Sequence, residues 1–446
     1  MALRASLVAL AALAALAASA EEECASPQDG GADERYIIAW PCDPGECHIY
    51  FGQQRKAFPT NFNLARATNR TLVLAPFPWY ENQAQQYTNA FKKTASGARP
   101  YFTCFSDLFD LSVFNRPLPD GSRLRIIELH KFAEREMAAG RRALGIELAI
   151  VSKGIPGRAT LDGRTDPETD ASTVVVPYPC AEPLEGIALN LSAHGSGELW
   201  GLPREQVEVR EMRCGYAMLA RAWKQAASRP AQFGEMLESP GLFGGKRLVA
   251  LLGTGHQPHS HAHDAAMQQV SQQLAYAAPL LREAERFIGE RLAPLVHSAH
   301  EEGGHQSPAL PAAGGGYVAV HWRHGDYVPY GHATEVQVLA GKVAEALARL
   351  DGCQACPVFL ATNCKEQQPL NELRELLYPA PVLVYAPPDG PAGEAFRSEG
   401  HRLMVDQAIA ARGSVFVRSP RSAVSTFIDV ERKRLGLDSP AMSING

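Results

Sequence analysis

One arginine in the last third of the chain is placed for phosphate chemistry. Arg323 follows the apolar run 317–320, a pattern that predicts a buried strand ending just before the arginine. A guanidinium at the end of a strand offers a planar fork of donors that matches the oxygens of a diphosphate. The alternative is a salt bridge to the nearby carboxylate of Asp326.

The segment 419–427 predicts a second anion-binding element. It follows a strand pattern, opens a predicted helix and carries hydroxyl groups at Ser422, Ser425 and Thr426. The first amides of a helix have no partner within the helix, so they bind anions readily. Simple capping of the helix by Ser422 or Ser425 is the alternative.

Other familiar motifs are absent or have a simpler interpretation. The sequence contains neither a Gly-x-Gly-x-x-Gly dinucleotide loop nor a Gly-x-Ser-x-Gly elbow, which removes the usual support for a dehydrogenase or a serine hydrolase. His256, His259, His261 and His263 lie in a loop rich in Gly, Pro and Ser, without a second ligand cluster at the spacing of a structural zinc site. We therefore interpret them as a flexible loop and predict no metal site.

The elements that must position these residues are most regular from residue 317 onward. Strand patterns alternate there with helix patterns, which is typical of a doubly wound parallel sheet. In such sheets ligands bind beyond the carboxyl ends of the strands, where both phosphate-binding candidates are expected. The predicted strands are 317–322, 358–362, 382–386 and 414–417, and the predicted helices are 335–350, 367–377 and 401–412.

The N-terminal half is predicted to be α/β as well, but less regular. Two helical stretches between residues 265 and 296 meet at Pro279, and the segment 297–316, rich in Gly and Pro, is predicted to be a linker. The predicted strands are 36–40, 71–74, 124–129, 174–176 and 247–252, and the predicted helices are 53–68 and 214–227.

The composition of the 446-residue chain is that of an ordinary globular protein, with 20% charged and 46% hydrophobic residues. A formal net charge of -5 provides no basic field for a phosphate backbone, so we expect no nucleic-acid partner. Residues 1–20 predict a secretory signal peptide cleaved after Ala20, because a positively charged start precedes the apolar run 7–17 and three small residues follow it. A membrane anchor is the alternative, but the apolar run is too short to span a membrane. No later stretch predicts a membrane span, and residues 21–34 predict a disordered acidic segment.

A secretory destination changes how the cysteines and asparagines are interpreted. An oxidising lumen favours disulfides among the nine cysteines. Cys353 and Cys356 are predicted to form a structural disulfide or to stay free thiols, because they do not open a helix as a redox Cys-x-x-Cys motif does. Asn69 and Asn190 begin Asn-x-Ser/Thr triplets and are predicted glycosylation acceptors.

Four segments, taken in order, resemble the motifs of the GDP-fucose protein O-fucosyltransferases. The resemblance spans about residues 35 to 438 and is densest at the two ends. Its N-terminal part is closer to the type that acts on EGF-like repeats than to the type that acts on thrombospondin repeats. The segments are Phe51-Gly52-Gln53-Gln54 with 69–72 and Pro76, then 318–327, then 405–408 leading to 415–417, and finally 424–427.

This resemblance implies a fold and a reaction. The fold is two Rossmann-like domains facing each other across a cleft, the GT-B architecture, with an acceptor-side domain at 35–262 and a GDP-fucose-binding domain at 263–446. The reaction is that of a peptide-O-fucosyltransferase in the endoplasmic reticulum lumen. Such an enzyme transfers fucose from GDP-fucose, with inversion and without a metal or other cofactor, to Ser or Thr hydroxyls of folded secreted or cell-surface domains, here EGF-like repeats first.

The resemblance also implies roles for individual residues of the donor site. Arg323 would bind the β-phosphate and support the departure of GDP. His321 would contact the nucleoside, and Asp406 would hold the guanine side. The phosphates and the base would be cradled by Ser425, Thr426 and Phe427.

The N-terminal motif would supply the rest of the site. Phe51, Gly52 and Gln53 would form the phosphate-side loop near the sugar. An inverting displacement needs help in removing the hydroxyl proton of the acceptor. Glu46 is the candidate base because it roughly matches the carboxylate that the thrombospondin-repeat type uses, and the alternative is a solvated loop charge.

Two other functions stay open at this point. Gln53 stands where the family carries Asn, and its side chain is one methylene longer, which favours a catalytically silent lumenal binding protein of the same fold. The second alternative is a related fucosyltransferase that acts on glycans or on thrombospondin repeats.

Overall fold

The architecture is taken from a computed structural model of the chain. It describes residues 34–40, 54–55, 57–79, 101–118, 121, 123–151, 178–179, 198–199, 202–203, 207–214, 235, 237–238, 243–252, 265–302, 316–325, 327–328, 331–350, 353–437 and 442–444. No helix within these ranges combines the length and the apolar character needed to cross a membrane.

Several sequence predictions fall on residues outside those ranges and stay predictions. They are the signal peptide 1–20, residues 21–33 of the acidic segment, Glu46, Phe51, Gly52, Gln53, the strand 174–176, Asn190, the histidines from His256 to His263, and Asp326.

A seven-stranded sheet forms the N-terminal half. The strands of this half are β1 (Tyr36–Trp40), β2 (Thr71–Leu74), β3 (Phe77–Trp79), β4 (Tyr101–Thr103), β5 (Ile126–Glu128), β6 (Leu144–Ile146), β7 (Leu148–Val151), β8 (Tyr178–Pro179), β9 (Glu198–Leu199), β10 (Leu202–Pro203), β11 (Val207–Val209), β12 (Met212–Cys214) and β13 (Leu248–Leu252). The order in the main sheet is β5-β2-β1-β13-β7-β12-β8, and only β8 runs antiparallel to its neighbour. The central strand β1 pairs with β13 and β2, and Ile37 and Ile38 within it are fully buried.

The helices of the N-terminal half differ in part from the predictions. Helix α1 (Phe58–Ala67) has Pro59 in its first turn, where a missing N–H costs no helical hydrogen bond. A helical turn at Gln54 and Arg55 precedes it, so the prediction of 53–68 is largely confirmed. The helix predicted from Cys214 is wrong at that residue, because Cys214 ends β12 and pairs with Val151. The short helices α2 (Phe105–Leu108) and α3 (Leu129–Ala138) were not predicted.

Three helices connect the two halves. They are α4 (Ala265–Gln273), α5 (Ala278–Phe287), which continues as a π-helical turn at Ile288–Leu292, and α6 (Ala293–Glu302). Pro279 lies in the first turn of α5, as its sequence position predicts. The linker predicted at 297–316 is wrong in its first part, because α6 continues to Glu302. Helix α4 packs against α1, and α5 packs against a helix of the C-terminal half, so one apolar core runs through both halves.

A five-stranded, wholly parallel sheet forms the C-terminal half, in the order β16-β15-β14-β17-β18. Strand β14 lies at its centre, and all five of its residues are buried. The four predicted strands are confirmed, although β16 ends at Leu383, and β18 was not predicted. The elements are β14 (Val318–Trp322), β15 (Val358–Thr362), β16 (Val382–Leu383), β17 (Val415–Arg418), β18 (Met442–Ser443), α7 (Val336–Ala348), α8 (Gln367–Leu376), α9 (Pro391–Glu394), α10 (Glu399–Ala411) and α11 (Ala423–Arg434).

Among the described cysteines, one pair forms a disulfide of the kind expected in an oxidising compartment. Cys353 and Cys356 form a disulfide in the turn that precedes β15, which confirms a structural bond there. Cys364 is a buried thiol, and the Sγ of Cys104 contacts the Nδ1 of His130 at 3.6 Å.

Candidate active site

The carboxyl ends of β14 and β17 are joined by one hydroxyl group. The Oγ of Ser419 donates to the carbonyl of His321 at 2.8 Å and accepts from the backbone N–H of Arg323 at 2.8 Å. The Arg323 guanidinium lies over the ring of Tyr327, 4.4 Å from its centroid, and the residue is half-buried. The predicted arginine therefore sits at the ligand edge of the sheet, on a backbone that the neighbouring strand holds in place.

His321 and Ser425 come together although they lie 104 residues apart. The Nδ1 of His321 and the Oγ of Ser425 are 2.7 Å apart, and both side chains are buried. Ser425 lies in the first turn of α11, so this contact ties the beginning of that helix to the end of β14. Two residues that the sequence placed in one site thus meet in the structure.

The hydroxyl groups at the start of α11 do not cap the helix in the usual way. Ser422 is the N-cap residue, yet its side chain accepts no capping hydrogen bond, and its buried Oγ has no partner among the described residues. The Oγ of Ser425 is directed to His321, and Thr426 donates its hydroxyl to the carbonyl of Ser422 at 3.2 Å. The capping interpretation is wrong for both serines. The backbone N–H groups in the first turn of α11 can bind an anion.

Asp406 lies on α10 in an unusual electrostatic setting. Its Oδ1 is buried and has no hydrogen-bond partner among the described residues. Burial raises the pKa of this carboxyl to about 8, against the opposing effect of the Arg402 charge. A buried acceptor without a partner is costly unless a ligand supplies the missing donor.

Phe427 contacts an arginine that the sequence did not indicate as functional. Phe427 is 9% exposed, and the guanidinium carbon of Arg55 lies 4.2 Å from the centroid of its ring. Arg55 directly follows the N-terminal motif in sequence, and in space it contacts helix α11 of the C-terminal half. No local pattern marks Arg55, because the rings that it contacts are far away in the sequence.

The loop after Arg323 is held by a residue at the end of β15. The Oδ1 of Asn363 accepts from the backbone N–H groups of His324 at 2.8 Å and Gly325 at 3.1 Å. A Cβ at Gly325 would lie 3.0 Å from the carbonyl oxygen of Asn363, so a larger residue would need the loop to shift. The His324 ring packs on Trp322, and burial lowers its pKa. Asn363 directly follows the strand predicted at 358–362, but no local pattern in the sequence indicates these bonds.

A group of three side chains at the end of β5 could hold a metal ion. The ligand atoms of Cys104, Glu128 and His130 lie within 4.8 Å of one another among the described residues. The Cys104 Sγ and His130 Nδ1 are 3.6 Å apart, close to the ~3.5 Å expected between sulfur and nitrogen ligands of a tetrahedral zinc ion. However, both carboxylate oxygens of Glu128 accept from Ser106, at 2.8 and 2.9 Å. These two bonds anchor the start of α2 to Glu128, and we assign no metal-binding role to the group.

Asn69 is the one predicted glycosylation acceptor among the described residues. It is exposed and has a positive φ of 49° at the turn before β2. Its carbonyl and its Oδ1 accept from Arg125 at 2.7 and 3.0 Å. The glycosylation itself stays a prediction.

Comparison with known proteins identifies relatives of the whole architecture. A structure of POFUT1 in complex with GDP-fucose is similar with a TM-score of 0.56 at 16% identity, over 93% of this chain and 98% of that one. The apo form of POFUT1 is similar with a TM-score of 0.55 at 15% identity, over 93% and 99%. At this identity the likeness shows the fold, which is the GT-B arrangement of two Rossmann-like domains.

Sequence comparison gives the family. GDP-fucose protein O-fucosyltransferase 2 of Drosophila melanogaster is 30% identical over 198 residues, which are 43% of this chain and 39% of that protein. The chain thus spans well under half the length of this curated relative. The family model for GDP-fucose protein O-fucosyltransferases matches residues 47–435. With most of its length matched, this chain belongs to the GDP-fucose protein O-fucosyltransferase family.

Proposed function

We propose that this protein is an inverting, metal-independent peptide-O-fucosyltransferase. It takes fucose from GDP-fucose and transfers it to a Ser or Thr hydroxyl of a folded domain, EGF-like repeats first, in the endoplasmic reticulum lumen. The family membership supports the transferase class and the donor. The POFUT1 structures with GDP-fucose support the same donor.

One observation supports the proposal most directly, the junction of β14, β17 and α11. There the buried His321–Ser425 contact and the Ser419 hydroxyl bring Arg323 and the first turn of α11 to the same sheet edge. A guanidinium and helix-end amides at one place suit a diphosphate, because both supply positive charge and directed donors.

We expect the following reaction at this site. The acceptor hydroxyl oxygen forms a bond to C1 of fucose, while the bond from C1 to the β-phosphate oxygen breaks and GDP leaves. Negative charge then develops on the leaving diphosphate, and Arg323 with the amides of α11 stabilises it in place of a metal. The hydroxyl proton passes to a base, for which Glu46 is the candidate.

The nucleoside side of the donor fits the remaining residues. The buried carboxyl oxygen of Asp406, which has no partner among the described residues, would accept hydrogen bonds from the N–H groups of guanine. The Phe427 ring, already held against Arg55, offers an apolar face to the base. The His321 ring is held in place by its contact with Ser425.

The proposal is tested by incubating the purified protein with GDP-fucose and a panel of folded EGF-like repeats, thrombospondin repeats and glycans. Intact mass of each acceptor is the readout, and heat-denatured repeats are the control for recognition of a folded domain. Addition of one fucose to an EGF-like repeat is expected. Transfer only to thrombospondin repeats or only to glycans would replace the acceptor that we propose.

The same experiment distinguishes an active transferase from the catalytically silent binding protein that Gln53 favours. A catalytically silent binding protein would bind GDP-fucose or a folded repeat in calorimetry and modify no acceptor in the panel. A Gln53→Asn variant that gained transfer would locate the cause of the silence in this one side chain.

A further inference from the structure

Arg55 is a buried cation with no acidic partner among its contacts in the described part of the chain. The residue is 2% exposed, and its Nε and Nη1 have no hydrogen-bond partner. Its guanidinium carbon lies 5.1 Å from the ring centroid of Phe109, 5.4 Å from that of Tyr276 and 4.2 Å from that of Phe427. Three aromatic rings therefore form the surroundings of one positive charge.

Burying a charged side chain in this way makes the free energy of folding less favourable. Burying a cation and leaving two of its donors without partners both disfavour folding. Cation–π attraction offsets part of this cost, and it is strongest where water is excluded. The other buried arginine of the N-terminal half has ordinary partners, because Arg70 donates to Glu238 at 2.6 Å and to two backbone carbonyls at 3.0 and 3.2 Å.

The three rings come from separate parts of the fold. Phe109 ends the helical segment α2, and its backbone forms an isolated bridge with Tyr276 in the turn between α4 and α5. Phe427 lies on α11 of the C-terminal half. Arg55 itself lies in the helical turn before α1, so its charge joins the N-terminal half to the helix of the donor site.

A second connection runs from the same place to α10. The hydroxyl of Tyr276 donates to the Oε1 of Gln407 at 3.2 Å, and both side chains are buried. Burial raises the pKa of Tyr276 to about 12, so the phenol keeps its proton. Gln407 is the neighbour of Asp406. Arg55 and Tyr276 together therefore contact both helices that carry the nucleotide-side residues.

We infer that Arg55 is a positioning residue for the donor site, which rests on the proposed function. Its charge holds the Phe427 ring, and Tyr276 beside it holds the helix of Asp406, in the orientation that receives the nucleoside diphosphate. Arg55 acts through these residues and needs no contact with the donor. The competing interpretation is that Arg55 only fills space between three rings.

Two substitutions at Arg55 separate the interpretations. Arg55→Met keeps the length and apolar bulk of the side chain but removes the charge, whereas Arg55→Lys keeps a charge that can lie over a ring. Replacing a buried charge by an apolar residue of similar volume is often neutral or stabilising. A space-filling role thus predicts that Arg55→Met melts no lower than the parent and binds GDP-fucose equally well.

The positioning role predicts a different pattern in calorimetry with GDP-fucose. Arg55→Met should fold, melt at or above the parent temperature and bind GDP-fucose roughly 10- to 30-fold more weakly, the factor for a desolvated cation–π contact. Arg55→Lys should bind with an affinity between the two. Arg70→Met is the matched control, since it should lose stability by removing the bonds to Glu238 and to the carbonyls of Tyr36 and Phe243, and keep the parent affinity.

Each outcome decides the question. A parent that does not bind GDP-fucose refutes the proposed function, whereas a parent that binds and an Arg55→Met variant of equal affinity overturn the inference alone. Arg55→Lys binding no better than Arg55→Met would refute a role for the charge. If Arg55→Met does not fold, Tyr276→Phe decides, because it keeps the ring beside Arg55 and removes the hydroxyl that bonds to Gln407 and interacts with Arg55. A severalfold weaker affinity supports the inference, and an unchanged affinity overturns it.

Discussion

The titration of Asp406 gives a quantitative prediction for donor binding. Burial raises the pKa of this carboxyl to about 8, so the protein without donor holds it mostly protonated at neutral pH. Guanine offers N–H donors on its Watson–Crick edge, and only the ionised carboxylate accepts from them with both oxygens. Binding of GDP-fucose should therefore favour the ionised form, and its affinity should rise with pH.

The magnitude follows from the fraction of protein that is ready to bind. With a pKa of about 8, the ionised fraction is about 1% at pH 6 and about one half at pH 8. Because the apparent dissociation constant is the intrinsic one divided by this fraction, affinity should increase roughly 50-fold from pH 6 to pH 8. The neighbouring phenol of Tyr385 does not titrate over this range, because burial and its hydrogen bond to Glu283 raise its pKa and keep it protonated.

The assay is isothermal titration calorimetry with GDP-fucose at several pH values. GDP-fucose is a better ligand than GDP here, since the terminal phosphate of GDP itself titrates near the lower end of the range. Asp406→Asn is the control, because an amide keeps an acceptor and does not titrate, so its affinity should vary little. A parent affinity that is flat between pH 6 and pH 8, or an equal slope in both proteins, would refute the reasoning.

The remaining predictions concern catalysis, metals and stability. Arg323→Lys should lower fucose transfer roughly 100- to 1000-fold and binding much less, and an undiminished rate would remove Arg323 as the group that supports GDP departure. GDP-fucose binding should be equal in EDTA and in added divalent metal, and a loss in EDTA would contradict the metal-free mechanism. Glu238→Ala should lower the free energy of unfolding by about 3–5 kcal/mol in urea, because Arg70 is left buried without its carboxylate, and an unchanged midpoint would contradict this. Asp406→Asn should raise the melting temperature more at pH 8 than at pH 5. The pKa of Asp406 in the folded protein lies above its unfolded value of 3.8, so this carboxyl makes the parent less stable as the pH rises towards 8. An equal gain at both pH values would contradict this.

The C-terminal half was predictable because its local and tertiary preferences agree. Strand β14 is apolar throughout, and in the structure it lies at the centre of a parallel sheet with helices on both faces, so every residue of it is buried. The N-terminal half was predicted less well, because its strands are short and depend on their neighbours. Cys214 begins a helical pattern in the sequence, but pairing with β7 makes it part of a strand.

The sequence by itself determined the residue types of the donor site and their place at the ends of strands. Apolar runs and helix starts are local patterns, so they indicated Arg323 and the serines of α11, while the family resemblance added His321. Their mutual contacts could not, because the His321–Ser425 pair joins residues 104 positions apart.

Only the tertiary structure decided the role of Arg55 and the proton affinity of Asp406. Arginine is a charged residue that is usually exposed to solvent. Arg55 is instead buried, because rings from residues 109, 276 and 427 pack around it. The pKa of Asp406 is raised because the packed chain removes water from its carboxyl. The desolvation of this carboxyl depends on atoms from distant parts of the chain, so no local pattern in the sequence predicts it.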